Sequence, residues 1–238
     1  MKQVNVKWHS PPKKPVLADG DIHLWRVALN QFPKSIEKSL KFLSSDEQLV
    51  SKQYSLSQQK KYIVKHQALR SILGKYIDDS PQQLRFKYGV NGKPHLLGNV
   101  KAERLMFNMS HSHKLGIIAV TEEKSIGVDI EHIQSDLSLV SLVSQFYTET
   151  EIGVINSLPL ERQSLVTLAM WTRKEALLKA RGEDISSLIR ASKSKNTKRV
   201  RKYAKKYLRH TFDMDREYVA TVVSENVSPN FFYWEWRD

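Results

Sequence analysis

Short apolar runs alternate along this chain with stretches whose apolar residues recur at helical spacing, and their order predicts its elements. Ile22–Leu29 (IHLWRVAL) predicts a strand. Two helices are expected between Ile36 and Tyr76. In the second, Tyr62, Ile63, Leu69, Ile72, Leu73 and Tyr76 return at spacings of three and four, and Gly74 with Pro81 marks the end region. Leu84–Tyr88 predicts a strand and Gly89-Val90-Asn91-Gly92 a turn. Leu105–Phe107 and Leu115–Thr121 predict short strands on either side of a polar connecting segment, Asn108–Lys114. The pattern then restarts. Ile126–Ile130 predicts a strand, Leu137–Phe146 a short helix, and Glu161–Ala180 a long helix ending at Gly182. Phe212–Met214, Tyr218–Val223 and Phe231–Trp236 read as strands that close a sheet. Each half thus runs strand, helix, helix, strands. An α+β fold of two similar subdomains is expected, residues 1–123 behind an extended Pro- and Lys-rich leader (1–20) and residues 124–238, with no visible sequence self-similarity between them.

Composition narrows the class. With 238 residues, 40% apolar and 26% charged, the chain can bury a substantial core. No apolar run approaches the ~20 residues of a membrane span. Met1–Ala18 has no apolar core, so it does not read as a secretory signal, and a cytoplasmic protein is expected. The absence of cysteine excludes disulfides, thiolate catalysis and cysteine-bound zinc. Thirty-eight basic and 25 acidic residues leave a net charge of +13, which calls for a polyanionic partner: nucleic acid, membrane, phosphorylated cofactor or acidic protein. Much of that charge is local. Arg190–His210 carries ten Lys and Arg and no acid, the composition of an interaction arm or of a solvated segment.

Four segments could carry chemistry. In Gly127-Val128-Asp129-Ile130-Glu131, a strand would turn Val128 and Ile130 inward and put Asp129 and Glu131 on the same opposite face. Adjacent carboxylates repel unless a cation lies between them, and oxygen ligands favour a hard ion such as Mg²⁺; two solvated acids at a strand end are the plainer alternative. In the second segment, Trp171–Gly182, a helix would align Trp171, Glu175 and Lys179 as successive i, i+4 neighbours. That stripe either faces a site or is an exposed helix-stabilising pair. Third is Phe107-Asn108-Met109-Ser110-His111-Ser112-His113, whose hydroxyl and imidazole groups suit phosphate better than a hydrolase triad, because no G-x-S-x-G elbow is present. Fourth is Asn91-Gly92-Lys93-Pro94, a stiff turn bearing a cation, and not a P-loop.

Taken in order, Gly92-Lys93-Pro94, Phe107–His111, Gly127–Glu131 and Trp171–Lys179 resemble the signatures of the 4′-phosphopantetheinyl transferases of the larger, surfactin-synthetase-activating type. The resemblance is strongest over residues 60–182. It implies two subdomains in pseudo-twofold arrangement, with coenzyme A and Mg²⁺ in the cleft between them. The implied reaction moves the 4′-phosphopantetheine arm from coenzyme A to a serine of an apo carrier protein, releasing adenosine 3′,5′-bisphosphate. By position, Asp129, Glu131 and Glu175 match the magnesium carboxylates. Glu175 is the implied general base, and Lys179 the implied cation beside the leaving phosphate. Ser110 and His111 match phosphate contacts, Lys93 and Pro94 the turn along the adenine nucleotide, and Lys60 and Lys61 basic positions near the 3′-phosphate. The partners implied are coenzyme A and an acidic carrier, with the enzyme a monomer and neither nucleic acid nor membrane involved. Two other readings compete: a basic nucleic-acid-binding protein, supported by the +13 charge and the 190–210 run but with no legible binding motif, and a Mg²⁺-dependent phosphohydrolase using the same carboxylates with water as acceptor.

Overall fold

The computed structural model describes residues 6–32, 35–133, 146–188, 206–215, 217–225 and 228–237. Nearly all of the expected helix Leu137–Phe146 and most of the basic run Arg190–His210 therefore lie outside the described residues. The first half begins with β1 (Asp21–Ala28), followed by α1 (Ile36–Leu40), α2 (Ser45–Ser51) and α3 (Leu56–Ile77). Three helices stand where two were expected, because Ser35 and Ser44 each accept a backbone N–H as N-caps and start separate helices. After a single 3₁₀ turn, β2 (Arg85–Tyr88) and β3 (Pro94–Leu97) form a two-stranded hairpin, and α4 (Val100–Arg104) leads into β4 (Leu105–Ser112) and β5 (Leu115–Glu122). β4 corrects the expected connecting segment: Asn108–Ser112 is strand, and only His113-Lys114 turns the chain. The second half contributes β6 (Ile126–His132), α5 (Glu149–Asn156), α6 (Leu160–Arg181), β7 (Leu208–Met214), β8 (Tyr218–Ser224) and β9 (Asn230–Glu235).

Four layers result. A four-stranded sheet, in the order β4-β5-β1-β9, lies against a three-stranded sheet, β6-β8-β7. Ile22 and Leu24 of β1 and Ile117 and Ala119 of β5 pack on Val128, Ile130, Phe212 and Val222 of the second sheet. Alternate residues of the same strands, Trp25, Val27, Ile118 and Val120, pack on Val64, Ala68 and Ile72 of α3. On the far side α6 covers the second sheet, with Ala176 and Ala180 against Val223 and Leu168 against Val219. Period-two alternation thus gives each strand two buried faces, and α3 and α6 form the outer layers. β9 departs from expectation. It does not close the second sheet but pairs parallel with β1, Ile22 opposite Phe231 and Trp25 opposite Trp234. Part of the leader then lies against β9, with His9 bonding the backbone of Tyr233 and Glu235.

A repeat that the amino-acid types conceal is plain in the structure. One constant separation links Ser44 to Thr148, Glu47 to Glu151, Leu56 to Leu160 and Asp78 to Gly182. Ser44 with Glu47, and Thr148 with Glu151, form capping boxes at the start of α2 and α5. Each box glutamate reaches a basic residue 23 positions on, Glu47 to Arg70 at 2.7 Å and Glu151 to Lys174 at 2.8 Å. α3 and α6 are both 22 residues long, and each ends at a left-handed cap, Asp78 (φ 60°) and Gly182 (φ 64°).

Within the second half, β6 and α6 meet closely at Gly127. A Cβ there would overlap the carbonyl oxygen of Ala176 and the amide nitrogen of Ala180, backbone atoms that cannot swing aside. Only glycine lets β6 lie this near α6. Gly127→Ala is expected to lower stability by ~3 kcal/mol, the upper end of the overpacking range. Urea unfolding checks this, and a midpoint equal to wild type would contradict the close approach.

Candidate active site

That close approach leaves an open pocket of about 510 Å³ where β4, β6, α6 and α3 converge. Its lining is Met109, Ser110 and His111 from β4, Asp129 and Glu131 from β6, Trp171, Glu175 and Lys179 from α6, and Lys65 from α3. The strand alternation puts Asp129 and Glu131 here while Val128 and Ile130 enter the core. The i, i+4 stripe of α6 puts Trp171, Glu175 and Lys179 here one turn apart.

β4 and β6 belong to different sheets, so side chains join them where a backbone ladder would. Asn108 Oδ1 accepts the Val128 N–H at 2.8 Å, the Ser110 hydroxyl donates to Asp129 Oδ1 at 2.8 Å, and the Ser112 hydroxyl donates to Glu131 Oε2 at 3.1 Å. Residues 108, 110 and 112 share one face of β4, and each clips a successive position of β6. Lys179 completes the arrangement, its ammonium 2.6 Å from Asp129 Oδ1 and 3.1 Å from Ser110 Oγ.

Asp129 is only 3% exposed. Its Oδ1 is doubly bonded, while its Oδ2 is buried without a hydrogen-bond partner. Burial raises its pKa against the opposing attraction of Lys179 and the hydrogen bonds from Lys179 and Ser110. Burial and then the charge of Asp129 push Glu131 up to about 7, with the Ser112 hydroxyl working the other way. Burial raises Glu175 too, and Lys179 again opposes. Enclosure by the pocket walls and the ammonium groups of Lys65, Lys179 and Lys61 hold His111 well below the usual imidazole range. Three carboxylates are thus held where their charged forms lack sufficient compensation, which is an environment that favours a cation. The donors are all oxygen, suiting a hard ion, and the unpartnered Asp129 Oδ2 offers it a ready ligand. Among the described residues the side chains do not converge into a closed three-ligand cluster. Mg²⁺ does not need one, since it commonly takes one or two carboxylates and fills the remaining positions with phosphate oxygens and water.

Stability should reflect these shifts. Glu131 titrates near 7 in the folded chain and near 4.5 when unfolded, so in that interval the folded form holds a proton the unfolded form has lost. The stability this contributes is complete below the unfolded value and is lost as pH rises through 7. Burial lowers His23 and His111 to about 4, and their titration raises stability as pH rises through the same region. The Glu131 contribution is therefore read as a difference: in metal-free protein, Glu131→Gln is expected to gain several degrees of Tm relative to wild type as pH goes from about 5 to 8. Thermal unfolding of both proteins across pH measures it; a Tm difference that does not change over this window contradicts the assignment.

The other expected site residues are placed differently. Lys60 lies over the Phe32 ring, 5.4 Å from its centroid, and Lys61 donates to the His113 carbonyl at 3.3 Å. Neither lines the pocket, whereas Lys65, one helical turn beyond Lys61, does. Lys93 and Pro94 do not line it either; Pro94 opens β3 opposite Tyr88, and the Lys93 ammonium points to backbone carbonyls. The residues that sequence reasoning missed are Lys65, Asn108 and Ser112. The i, i+4 relation of Lys65 to Lys61 and the alternation of Asn108, Ser110 and Ser112 were the available signals.

Comparison with known proteins agrees with this geometry. The family model of the 4′-phosphopantetheinyl transferase superfamily matches residues 125–223, the span from β6 through α6 to β8. The chain is 37% identical to the 4′-phosphopantetheinyl transferase HetI of Nostoc sp. over 183 residues, 76% of this chain and 77% of that protein. It is 31% identical to the 4′-phosphopantetheinyl transferase AcpT of Salmonella typhi over 113 residues, 48% of this chain and 56% of the relative. Over 155 residues, 64% of each chain, it is 26% identical to the 4′-phosphopantetheinyl transferase psf-1 of Bacillus pumilus. A match of this extent to HetI, together with the family model's coverage of the strand and helix that carry the pocket carboxylates, establishes that the chain belongs to the 4′-phosphopantetheinyl transferase superfamily.

Proposed function

We propose that this enzyme transfers the 4′-phosphopantetheine arm of coenzyme A to a serine hydroxyl of an apo carrier protein, with Mg²⁺ held in the pocket between β6 and α6. The observation that carries the reading is the buried, half-satisfied Asp129 between Ser110 and Lys179, beside Glu131 and Glu175. Asp129 and Glu131 would hold the ion, and Glu175 is the third carboxylate of the set. When bound, Mg²⁺ supplies Lewis-acid polarisation and neutralises charge on the pyrophosphate.

The protein's own groups supply the rest. Glu175, its pKa raised by burial, accepts the proton of the carrier serine, whose oxygen then attacks the phosphorus that bears the pantetheine arm. The bond from that phosphorus to the bridging oxygen breaks, and Lys179 offsets the charge that develops on the departing adenosine 3′,5′-bisphosphate. Ser110, His111 and Lys65 line the pocket as donors and cations for phosphate groups. We place the boundary of the two pseudo-twofold halves at residues 123/124, with β9 strapping the second half onto the first. Because both halves of one chain supply the pocket walls, we read the working unit as a monomer. The net charge of +13 suits an acidic carrier and steers its approach. No helix among the described residues is long and apolar enough to cross a membrane, and we place the reaction in the cytoplasm.

Intact-mass measurement of apo carrier proteins incubated with the enzyme, coenzyme A and Mg²⁺ tests the reading. A gain of one phosphopantetheine on serine is expected. Unmodified carriers with release of free phosphopantetheine would instead show water to be the acceptor.

A further inference from the structure

We infer that Lys93 is a positioning residue for the reacting side chains: from the β2–β3 turn it holds the C-terminal end of α6 and the start of β6 in one register, and so sets Lys179 against Asp129. This inference rests on the transferase reading of the pocket.

The Lys93 ammonium donates to the carbonyls of Ile126 at 2.8 Å, Lys179 at 2.7 Å and Ala180 at 3.3 Å. An ammonium has three N–H donors, and here each has a backbone acceptor, leaving none for a phosphate. The acceptors are significant in themselves. Ile126 begins the strand that carries Asp129 three residues later, and Lys179 is the residue whose own side chain grips Asp129. One charge therefore ties both backbones of the Asp129–Lys179 pair. The carbonyls of Lys179 and Ala180 belong to the last turn of α6, where the Lys179 carbonyl has only the 3.3 Å bond from the Gly182 N–H at the cap and a cation complements the helix dipole. Asn91, in the same turn, adds a bond from its side-chain amide to the Gly182 carbonyl at 2.8 Å, and the Ser125 hydroxyl donates to Ala180 O.

Two further observations agree. Gly127 leaves no side chain between β6 and α6 at this end, so the polar ties act where the two backbones come into direct contact. Burial depresses Lys93 to about 8, against the attraction of Glu225, which places the ammonium away from bulk solvent. A displacement of about 1 Å between reacting groups can lower turnover ~100-fold, so a tie on both backbones bears directly on rate.

The test is Lys93→Met, which removes the donors and keeps most of the volume. The kcat for carrier modification is expected to fall ~10- to 100-fold, with KM for coenzyme A within about twofold of wild type. Lys93→Arg, which keeps charge and donors, should recover part of that loss. In metal-free, ligand-free protein, backbone amide exchange at residues 179–183 should quicken in Lys93→Met. A raised KM for coenzyme A with unchanged kcat would overturn the inference, because the ammonium would then be reading the nucleotide. Unchanged kcat and KM beside a lowered Tm would also overturn it, reducing Lys93 to a structural tie. If Lys93→Met does not fold, Asn91→Ala removes the neighbouring bond to Gly182 and should show the same pattern at smaller amplitude; wild-type kinetics and exchange in it would count against the tie. A wild-type chain that modifies no carrier would refute the transferase reading instead, and amide exchange alone would then decide whether Lys93 holds the end of α6.

Discussion

Asp129→Asn is expected to lower carrier modification on the order of 10³-fold or more while leaving a folded protein at least as stable as wild type. The two halves of that expectation have the same cause. Asp129 is buried, and its pKa is raised even though the Lys179 ammonium lies 2.6 Å away. The fold alone therefore disfavours the carboxylate charge, and a neutral isostere of the same shape removes that cost. Lys179 keeps some access to solvent and can turn outward when its partner is neutral. Function needs the charge that the fold disfavours. The amide retains an acceptor for Ser110 but cannot offer an anionic oxygen at the Oδ2 position, which has no other partner. Loss of one electrostatic contact to the reacting centre commonly costs 10²–10³ in rate, and here a metal ligand and the partner of Lys179 disappear together. Steady-state kinetics and thermal unfolding of the same sample give both readings. Wild-type turnover in the variant, or undiminished turnover of the native enzyme in excess chelator, would remove Asp129 from the site.

How much of this was legible beforehand depended on the range of the interaction concerned. The alternation of Val128 and Ile130 with Asp129 and Glu131 is a property of five consecutive residues, and the structure places the two pairs on opposite faces as that alternation requires. The stripe of Trp171, Glu175 and Lys179 is likewise local to one helix and lines the pocket along one side. The failures lie where a distant partner decides. Asn108, Ser110 and Ser112 read as a polar turn because their partners on β6 lie about twenty positions away. A strand of polar residues carries no apolar alternation to betray it. Lys93 beside Gly92 reads as the cation of a stiff turn, and only the fold brings it to carbonyls more than 80 residues on. β9 reads as a neighbour of β8, yet its register is set by β1. The repeat was legible as an order of elements but not residue by residue, because the two halves share cap positions, helix lengths and one ion-pair spacing, while Trp25 stands at the place that Asp129 occupies in the second half. Lys75 and Lys179 are correspondingly placed on α3 and α6. Lys75 lies over the Trp25 ring at 5.7 Å, whereas Lys179 bonds the Asp129 carboxylate. One architecture thus houses a packed aromatic contact in the first half and an ion pair at the corresponding positions of the second.

Lys179→Ala should separate chemistry from binding, lowering kcat ~10²-fold or more while changing KM for coenzyme A far less. Its ammonium already has two partners, Asp129 Oδ1 and Ser110 Oγ, before any substrate enters. A cation so engaged adds modestly to ground-state binding. Its attraction grows when the departing bisphosphate gathers negative charge in a partly desolvated pocket, and an interaction that strengthens only then raises kcat. A second consequence has to be distinguished. Removing Lys179 leaves Asp129 a buried carboxylate without its cation, so its pKa climbs further and its hold on a metal ion weakens. Titrating Mg²⁺ into the variant separates the two. If turnover stays low at saturating Mg²⁺, the missing charge acts on the leaving group, as expected here. Full recovery at high Mg²⁺ would reassign Lys179 to holding Asp129 ionised, and a change confined to KM would make it a ground-state phosphate contact. Lys179→Arg adds a further arm. It preserves the charge but replaces a compact ammonium with a planar fork that cannot bond Asp129 Oδ1 and Ser110 Oγ in the same geometry. Its kcat should fall between those of wild type and Lys179→Ala, since charge near the bridging oxygen helps even when it is misplaced, and the full effect requires the position that α6 and β6 jointly set.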